Sequence, residues 1–509
     1  MSYFPPPSVD CPTFAEDSDW HPLIDGEPYL GELAAHLDAV GPGDSVLISG
    51  LAVDPMLDLA DRRPGEPGFL SLVERLARLA ADGVHVRVLV AGKVVASSIP
   101  LPAQGDLREN VRRARVLRQW RPVGSDEARP PPLADCVLVD YSGALLGSNH
   151  QKVVVFCRSG EVTAYVGGID LTDGRFDASP HGSMLLNGAR WGWHDAVVRL
   201  RGPAAAYVQL LVTVRWREAS TLPARRRLNH SLRLELINPS PAAAAPAPPP
   251  PQPAVPNPGT AVRVVRAIAR TKVDSPLPWR RVPWESLPAT GIHEVFQTLA
   301  AAMDAAQRYI YLEDQYLQEY FGGARRFELY PYLLAAARRG VKVIMVGSGV
   351  RDPADPGIYL RPINRRLNRD LRNKIINRLG PRQRDNVAVF RVEHLTVHAK
   401  MVLVDDAFAC IGSANMFSRS MGGVDNELST AVETTTPLVR DLRVRVWAEH
   451  LRAPMSADLQ GSLEDLDLAL GIWNPRWLVP GTPLTTWRSA GHPRGFHPSE
   501  FVLRSLVAN

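Results

Sequence analysis

The chain has 509 residues, 45% hydrophobic and 22% charged, with a formal net charge of +5. That composition excludes a disordered chain, and the length calls for two or more domain-sized units, each with its own core. The mild positive charge favours anionic partners without choosing among a membrane surface, a nucleic acid and a small phosphodiester.

Residues 1–20 begin MSYFPPPSVDCPTF, without a basic region followed by an apolar run. They read as a loose lead-in rather than a signal peptide. From Tyr29 the pattern YLGELAAHLDAV predicts a helix, a Gly-Pro-Gly break follows, and residues 45–49 (SVLIS) predict a strand. A second helix, from Leu70 to Ala81, stops at Gly83, a residue suited to a left-handed helix end, and residues 84–90 form the next strand. Helices alternating with β-branched runs predict mixed sheets with helices packed on their faces. No apolar stretch approaches the ~20 residues that span a bilayer. Cys11, Cys136, Cys157 and Cys410 show no zinc or CxxC spacing, as expected of reduced thiols. The expected location is cytoplasmic, with peripheral contact at a membrane.

Residues 150–177 read HQKVVVFCRSGEVTAYVGGIDLTDGRFD. His150 and Lys152 are two apart, so in a strand they share a face, and a glycine turn follows at residues 167–170 (GGID). Downstream, WHDAVVRLRGPAA supplies Asp195, a candidate acidic partner for His150. Trp191, Trp193 and His194 read as packing. Residues 238–259 (NPSPAAAAPAPPPPQPAVPNPG) have no apolar periodicity and read as a surface linker of polyproline II character.

Beyond the linker the order repeats. TLAAAMDAAQRYIYLEDQ corresponds to the first helix and strand, and LLAAARRGVKVIMVGSG to LARLAADGVHVRVLVAG, with Gly340 in the place of Gly83. An internal duplication follows. Residues 361–384 are strongly basic, with Ile363, Leu367, Leu371 and Ile375 near helical spacing. They read either as a solvated helix with one packed face or as an interfacial helix drawn to anionic headgroups. Residues 398–427 repeat the histidine–lysine pair as His398 and Lys400, followed by Asp405, GSAN at 412–415 and Glu427. Asn415 offers an amide and Ser413 a hydroxyl, while Glu427 is a candidate to orient the His398 imidazole. Together they suit a tetrahedral phosphate, and nothing in the pattern is built to hold a metal. The helix LVRDLRVRVWAEHL and a tail from about 456, with LEDLDLAL, Trp473, Trp477 and Trp487, close the chain. The tail is expected to pack onto the body.

The paired HxKxxxxD and HxK motifs, with VGGIDLTDGRFD after the first, resemble the phospholipase D superfamily and in particular its phosphatidylcholine-cleaving members. The resemblance covers residues from about 20 to about 455. It implies two tandem α/β/α sandwich repeats, with mixed sheets, helices on both faces and a pseudo-twofold axis. The expected division is a lead-in at 1–20, repeats at 21–237 and 260–455, the linker at 238–259 and the tail at 456–509. It further implies His150 as nucleophile, His398 as general acid and then base, and Lys152, Lys400 and Asn415 as ligands of the phosphate. IYLEDQYLQEYF resembles a site-lining segment of the family, so Glu313, Gln315 and Tyr316 join Asp170 and Ser413 as substrate-binding candidates. The implied reaction is hydrolysis of a glycerophospholipid head-group phosphodiester, without a cofactor, by a monomer needing no protein partner and not acting on nucleic acid. A nuclease, a cardiolipin-synthase-like transferase and a noncatalytic binding module remain open as alternatives. The first motif departs from the pattern at Cys157, where the second has Asp405. Because Asp405 is an odd number of residues from His398, strand alternation turns it away from the histidine, so a buried structural substitute at 157 is compatible with activity. Asn149, in place of the first histidine of the usual HHQK, is a milder departure.

Overall fold

The computed structural model describes residues 2–8, 11–92, 105–140, 148–182, 184–186, 189–221, 225–227, 233–235, 242–245, 251–268, 291–315, 317, 325–348, 370–392, 395–451, 457–473 and 484–486. Its centre is a pair of mixed sheets built on one plan. In the first, the strands run in the order Asp19–Ile24, Ala196–Arg201, Glu161–Gly167, Val153–Arg158, Ser45–Gly50, His85–Ala91 and Val137–Asp140. In the second, the order is Thr260–Ile268, Glu427–Thr434, Phe408–Gly412, Met401–Val404, Tyr309–Glu313, Lys342–Ser348 and Val387–Val392, with the short strands Phe14–Ala15 and Leu484–Thr486 added at the two ends. Strand for strand the pairing sense agrees: antiparallel as far as Ser45–Gly50 and Tyr309–Glu313, then parallel. The fold is α/β, and the sequence repeat is a repeat of topology.

Strand alternation divides the apolar residues between two layers. Val153 and Val155 enter a central core shared with Met401 and Leu403 of the other sheet. Their neighbours Val154 and Phe156 face one outer core, and Val402 and Val404 face the other. Helices cover the outer faces: Leu72–Ala81, capped by the Ser71 hydroxyl, lies in the first, and Tyr330–Arg339 in the second. Gly83 and Gly340 follow these helices with φ of 88° and 98°, the left-handed conformation glycine adopts without strain. Helices Pro203–Thr221 and Leu438–Leu451 contribute to the central core. Among the described residues no helix is long and apolar enough to cross a membrane.

The N-terminal segment is not a loose lead-in. Phe4 and Cys11 are buried in the second outer core, and Phe14–Ala15 pairs with Val262 and Ala261 of the second sheet before Asp19–Ile24 joins the first. Proline suppresses regular structure there without removing the drive to bury Tyr3 and Phe4, which pack on Phe408. The described linker residues are also tied down. Val255 N–H donates to Asp17 O at 2.8 Å, and Ala243 accepts the Trp216 indole N–H at 3.0 Å. Tail residues Leu463, Ala469 and Trp473 are buried in the central core. Of the basic stretch, residues 361–369 lie outside the described residues, whereas Leu371 and Ile375 are fully buried.

Candidate active site

Each histidine–lysine pair sits at the extended entry to a strand rather than inside it, just before Val153–Arg158 and Met401–Val404. Each lysine folds back on its own tripeptide, Lys152 Nζ donating to His150 O at 3.0 Å and Lys400 Nζ to His398 O. The entries are fixed by the opposite half. His150 N–H donates to Asn426 O at 2.9 Å and His398 N–H to His194 O at 2.7 Å. The residues just before them pair in parallel, Asn149 with Asn426 and Val397 with His194. A pseudo-twofold axis therefore places the strand start at Glu427 beside the first motif and Asp195 beside the second.

This crossing corrects the acid assignment. Glu427 does not orient His398; its Oε2 lies 3.0 Å from His150 Nδ1. Asp195 does not serve His150; its Oδ2 lies 2.6 Å from His398 Nδ1. The reason is topological, since each acid opens the strand neighbouring its own motif while each histidine loop docks across the interface. Both carboxylates are fully buried and prepared for the contact. Glu427 also accepts the hydroxyls of Ser413 at 2.5 Å and Ser420 at 2.6 Å. Asp195 Oδ1 accepts the N–H of Ala196 at 2.8 Å. The two turns differ for the same reason. Ser413 contributes its hydroxyl to Glu427, but at the equivalent Gly168 any side chain would collide with the Asp195 carboxylate.

Electrostatics distinguish the partners. Burial would raise the Asp195 carboxyl, but the His398 imidazole and Lys400 outweigh it and hold it at about 2. His398 is pushed down to about 3 by burial, helped by Lys400 and Arg175 and opposed by Asp195, so the substrate-free site favours a neutral ring. Burial also lowers Lys400, to about 8. Trp193 stands 4.9 Å from the His398 ring centroid to centroid, with the Arg175 guanidinium over its face.

The other candidates separate into two groups. Lys152 and Asp170 are 3.4 Å apart, and Asp170 also accepts the Ala52 N–H at 3.0 Å. Asp170 is thus a brace for Lys152 rather than a ligand for an anion. Asn415 is buried with its Oδ1 lacking a hydrogen bond, as is the whole amide of Asn149, the residue before His150. Glu313 is not on a substrate-facing surface: it is fully buried and bonded to His194, His450 and Tyr311. The strand that carries it turns it inward, while Asp314 accepts the Met416 N–H at 2.7 Å. Gln315 is half-buried beyond the end of that strand, and Tyr316 lies outside the described residues.

Asp405 is structural. It occupies the hairpin after Met401–Val404, with φ of 54°, and accepts the N–H groups of Gln307, Arg308 and Tyr309 at 2.7, 2.8 and 2.9 Å and the Tyr3 hydroxyl at 3.0 Å. In the first half the same joint is closed from the other side, where Asp44 accepts the Ser159 N–H at 2.8 Å. Cys157 is half-buried in the strand paired to Ser45 and Val162, and its thiol meets only the Ser45 side chain and the Gly160 backbone in place of the three N–H groups that Asp405 gathers. The motif aspartate has in effect moved to the neighbouring loop, which sequence comparison position by position does not detect.

The family described as "Cardiolipin synthase, PLD-like domain" matches residues 299–446. Phospholipase D alpha 4 of Arabidopsis thaliana is 25% identical, over 82% of this chain and 63% of its own. Phospholipase D alpha 3 of the same plant is 24% identical, over 65% and 51% respectively. The chain thus spans between half and two-thirds of the length of these relatives. The crystal structure of phosphatidylserine synthase from Haemophilus influenzae Rd KW20 superposes with a TM-score of 0.53 over 90% of this chain and 92% of that one, at 11% identity, a likeness of fold.

Proposed function

Since this chain belongs to the phospholipase D superfamily, we propose that it cleaves the head-group phosphodiester of glycerophospholipids, such as phosphatidylcholine, to phosphatidic acid and an alcohol. The observation that carries this reading is the crossed pair His150–Glu427 and His398–Asp195, held at one interface with Lys152 and Lys400. A phosphodiester repels nucleophiles and has a poor leaving group, and two imidazoles with opposite tasks meet both difficulties.

Neutral His150 attacks phosphorus through Nε2, its Nδ1–H donated to Glu427. The phosphorus–oxygen bond to the head group breaks as His398 Nε2 supplies a proton to the leaving oxygen. A phosphohistidine on His150 remains; His398, again neutral, takes a proton from water as its oxygen attacks the same phosphorus, and the phosphorus–Nε2 bond breaks to free His150 and phosphatidic acid. Lys152, Lys400 and the Asn415 amide neutralise the oxygens of the pentacoordinate transition state. The low proton affinity of His398 in the empty site makes its protonation coincide with arrival of the substrate phosphate, whose charge favours imidazolium. No step calls for a metal ion at the phosphorus, and an alcohol in place of water gives transphosphatidylation.

The test is head-group release from mixed phospholipid vesicles by wild type, His150→Ala and His398→Ala. Release by wild type that each substitution abolishes supports the proposal. A wild type that transfers a phosphatidyl group between alcohols but does not hydrolyse moves the assignment to a synthase-type transferase. Cleavage confined to nucleic acid overturns the lipid reading.

A further inference from the structure

Beside Asp195 lies a second buried cluster that the phosphodiester chemistry does not use. Asp25, His181, His194 and Glu449 each present one nitrogen or oxygen, and these four atoms all lie within 4.8 Å of one another. His194 Nδ1 is 3.1 Å from Asp25 Oδ1 and 2.5 Å from Glu449 Oε1. His181 Nε2 is 3.0 Å from the same Glu449 oxygen and 3.9 Å from Asp25 Oδ2. His194 is 0% exposed, and its Nδ1 stands between the two carboxylate oxygens, close enough to interact with both but aligned for a linear hydrogen bond with neither. A dry imidazole nitrogen aimed between two carboxylates without hydrogen-bond geometry has the arrangement of a ligand. A tetrahedral ion with bonds of about 2.1 Å separates its donors by roughly 3.4 Å; the observed separations run from 2.5 to 3.9 Å, so His194 Nδ1 and Glu449 Oε1 move apart on binding.

The far side of each imidazole supports the same reading. His181 Nδ1 faces Asp177 Oδ2 at 3.0 Å, and His194 Nε2 faces Glu313 Oε2 at 2.8 Å. A carboxylate on the second nitrogen is how metal-binding histidines are held in the ligating tautomer. Glu313 is itself fixed, by His450 Nε2 at 2.6 Å and the Tyr311 hydroxyl at 2.5 Å. Charge points the same way. The carboxylates of Asp25, Asp177, Glu313 and Glu449 are gathered in the interior against the imidazoles of His181, His194 and His450. A divalent cation offsets two negative charges while leaving the ligating rings neutral.

We propose that Asp25, His181, His194 and Glu449 bind one divalent transition-metal ion of the Zn2+ class. Two imidazoles and two carboxylates suit such an ion better than Ca2+ or Mg2+, which take six or more oxygens. Four protein ligands close the coordination sphere, so the role is structural. Three ligands belong to the first half and Glu449 to helix Leu438–Leu451 of the second. The ion therefore ties the halves together one residue from Asp195, and so positions the carboxylate that serves His398.

The experiment is elemental analysis of full-length protein purified without a histidine tag, followed by thermal unfolding with and without a strong chelator. About one Zn2+ per chain is expected, with a fall in Tm of about 5 °C or more once it is stripped, reversed by Zn2+ and not by Ca2+ or Mg2+. Co2+ in its place gives the visible absorption of a tetrahedral site. His181→Asn and Glu449→Gln each reduce bound metal at least tenfold. Wild type with less than about a tenth of an equivalent of metal and no response to Zn2+ overturns the proposal, because the cluster is then held by protons alone. Full metal content retained in both variants overturns it equally, since the ion then sits elsewhere.

Discussion

The crossed pairing makes a prediction that an uncrossed pairing reverses. In Asp195→Asn the carboxylate 2.6 Å from His398 Nδ1 becomes an amide, while Asp195 Oδ1 can still accept the Ala196 N–H. A hydrogen bond to a charged group contributes about 1.5–3 kcal/mol, so loss of this one slows turnover by about 10- to 150-fold. The loss falls on the step that needs His398. With a p-nitrophenyl leaving group, which departs without a proton, His150 still attacks at close to the normal rate, and hydrolysis of the phosphoenzyme becomes limiting. Rapid quench should then show a burst of p-nitrophenol near one equivalent and a phosphohistidine that peptide mapping places on His150. Glu427→Gln weakens attack itself, because Glu427 also holds Ser413 and Ser420, and no intermediate should accumulate. Accumulation on His150 in Glu427→Gln, and none in Asp195→Asn, would refute the crossed arrangement.

Asp405→Ala leaves three backbone N–H groups and the Tyr3 hydroxyl without their acceptor; it should cost about 2–3 kcal/mol in urea unfolding and leave activity per folded molecule unchanged. Cys157→Asp, by contrast, should not raise activity, because Asp44 already bonds the equivalent hairpin. Phe4→Ala should destabilise by about 3 kcal/mol without changing KM, since Phe4 packs under Arg263 and against Phe408 far along the sheet from the histidines. Burial, with the Asp140 carboxylate adding to it, raises Glu218 to about 8 despite Arg215. Its folded-state pKa exceeds the unfolded one, so its neutral form costs nothing below about pH 4.5 and stability is lost as pH rises toward 8. Glu218→Gln should accordingly raise Tm at pH 8–9 and leave it unchanged at pH 4; an equal gain at both pH values contradicts the assignment.

Much of the fold is legible because it rests on local periodicity. The alternation at residues 45–49 and 84–90, the glycine at 83 and 340 and the repeated order of elements are properties of neighbouring residues, and the observed strands Ser45–Gly50 and His85–Ala91 differ from them by a residue or so. In the lead-in, proline content conceals burial: Tyr3, Phe4 and Cys11 belong to the second core through contacts with residues hundreds of positions away. The grouping of His194, which reads as packing, with His181 and Glu449 is hidden for a related reason. WHD, PHG and AEH are each unremarkable tripeptides, and only packing of helix Leu438–Leu451 on the first half brings them within bonding distance.

The same limit separates sequence order from the observed pairing of acids with histidines. Sequence order suggests that each motif keeps its own downstream carboxylate, and a self-contained half would have to fold its histidine loop back over its own sheet to do so. The backbone instead sends that loop across, because the edge left open beside Glu427 is filled by Asn149, and the strand Ala189–His194 before Asp195 is joined by Leu395–Val397. Each half therefore carries a histidine without its acid and an acid without its histidine. The proposed chemistry depends on docking of the two halves, and the central core formed by both sheets and by helices Pro203–Thr221 and Leu438–Leu451 holds them together. Duplication alone supplies the parts; burial at the interface supplies the geometry.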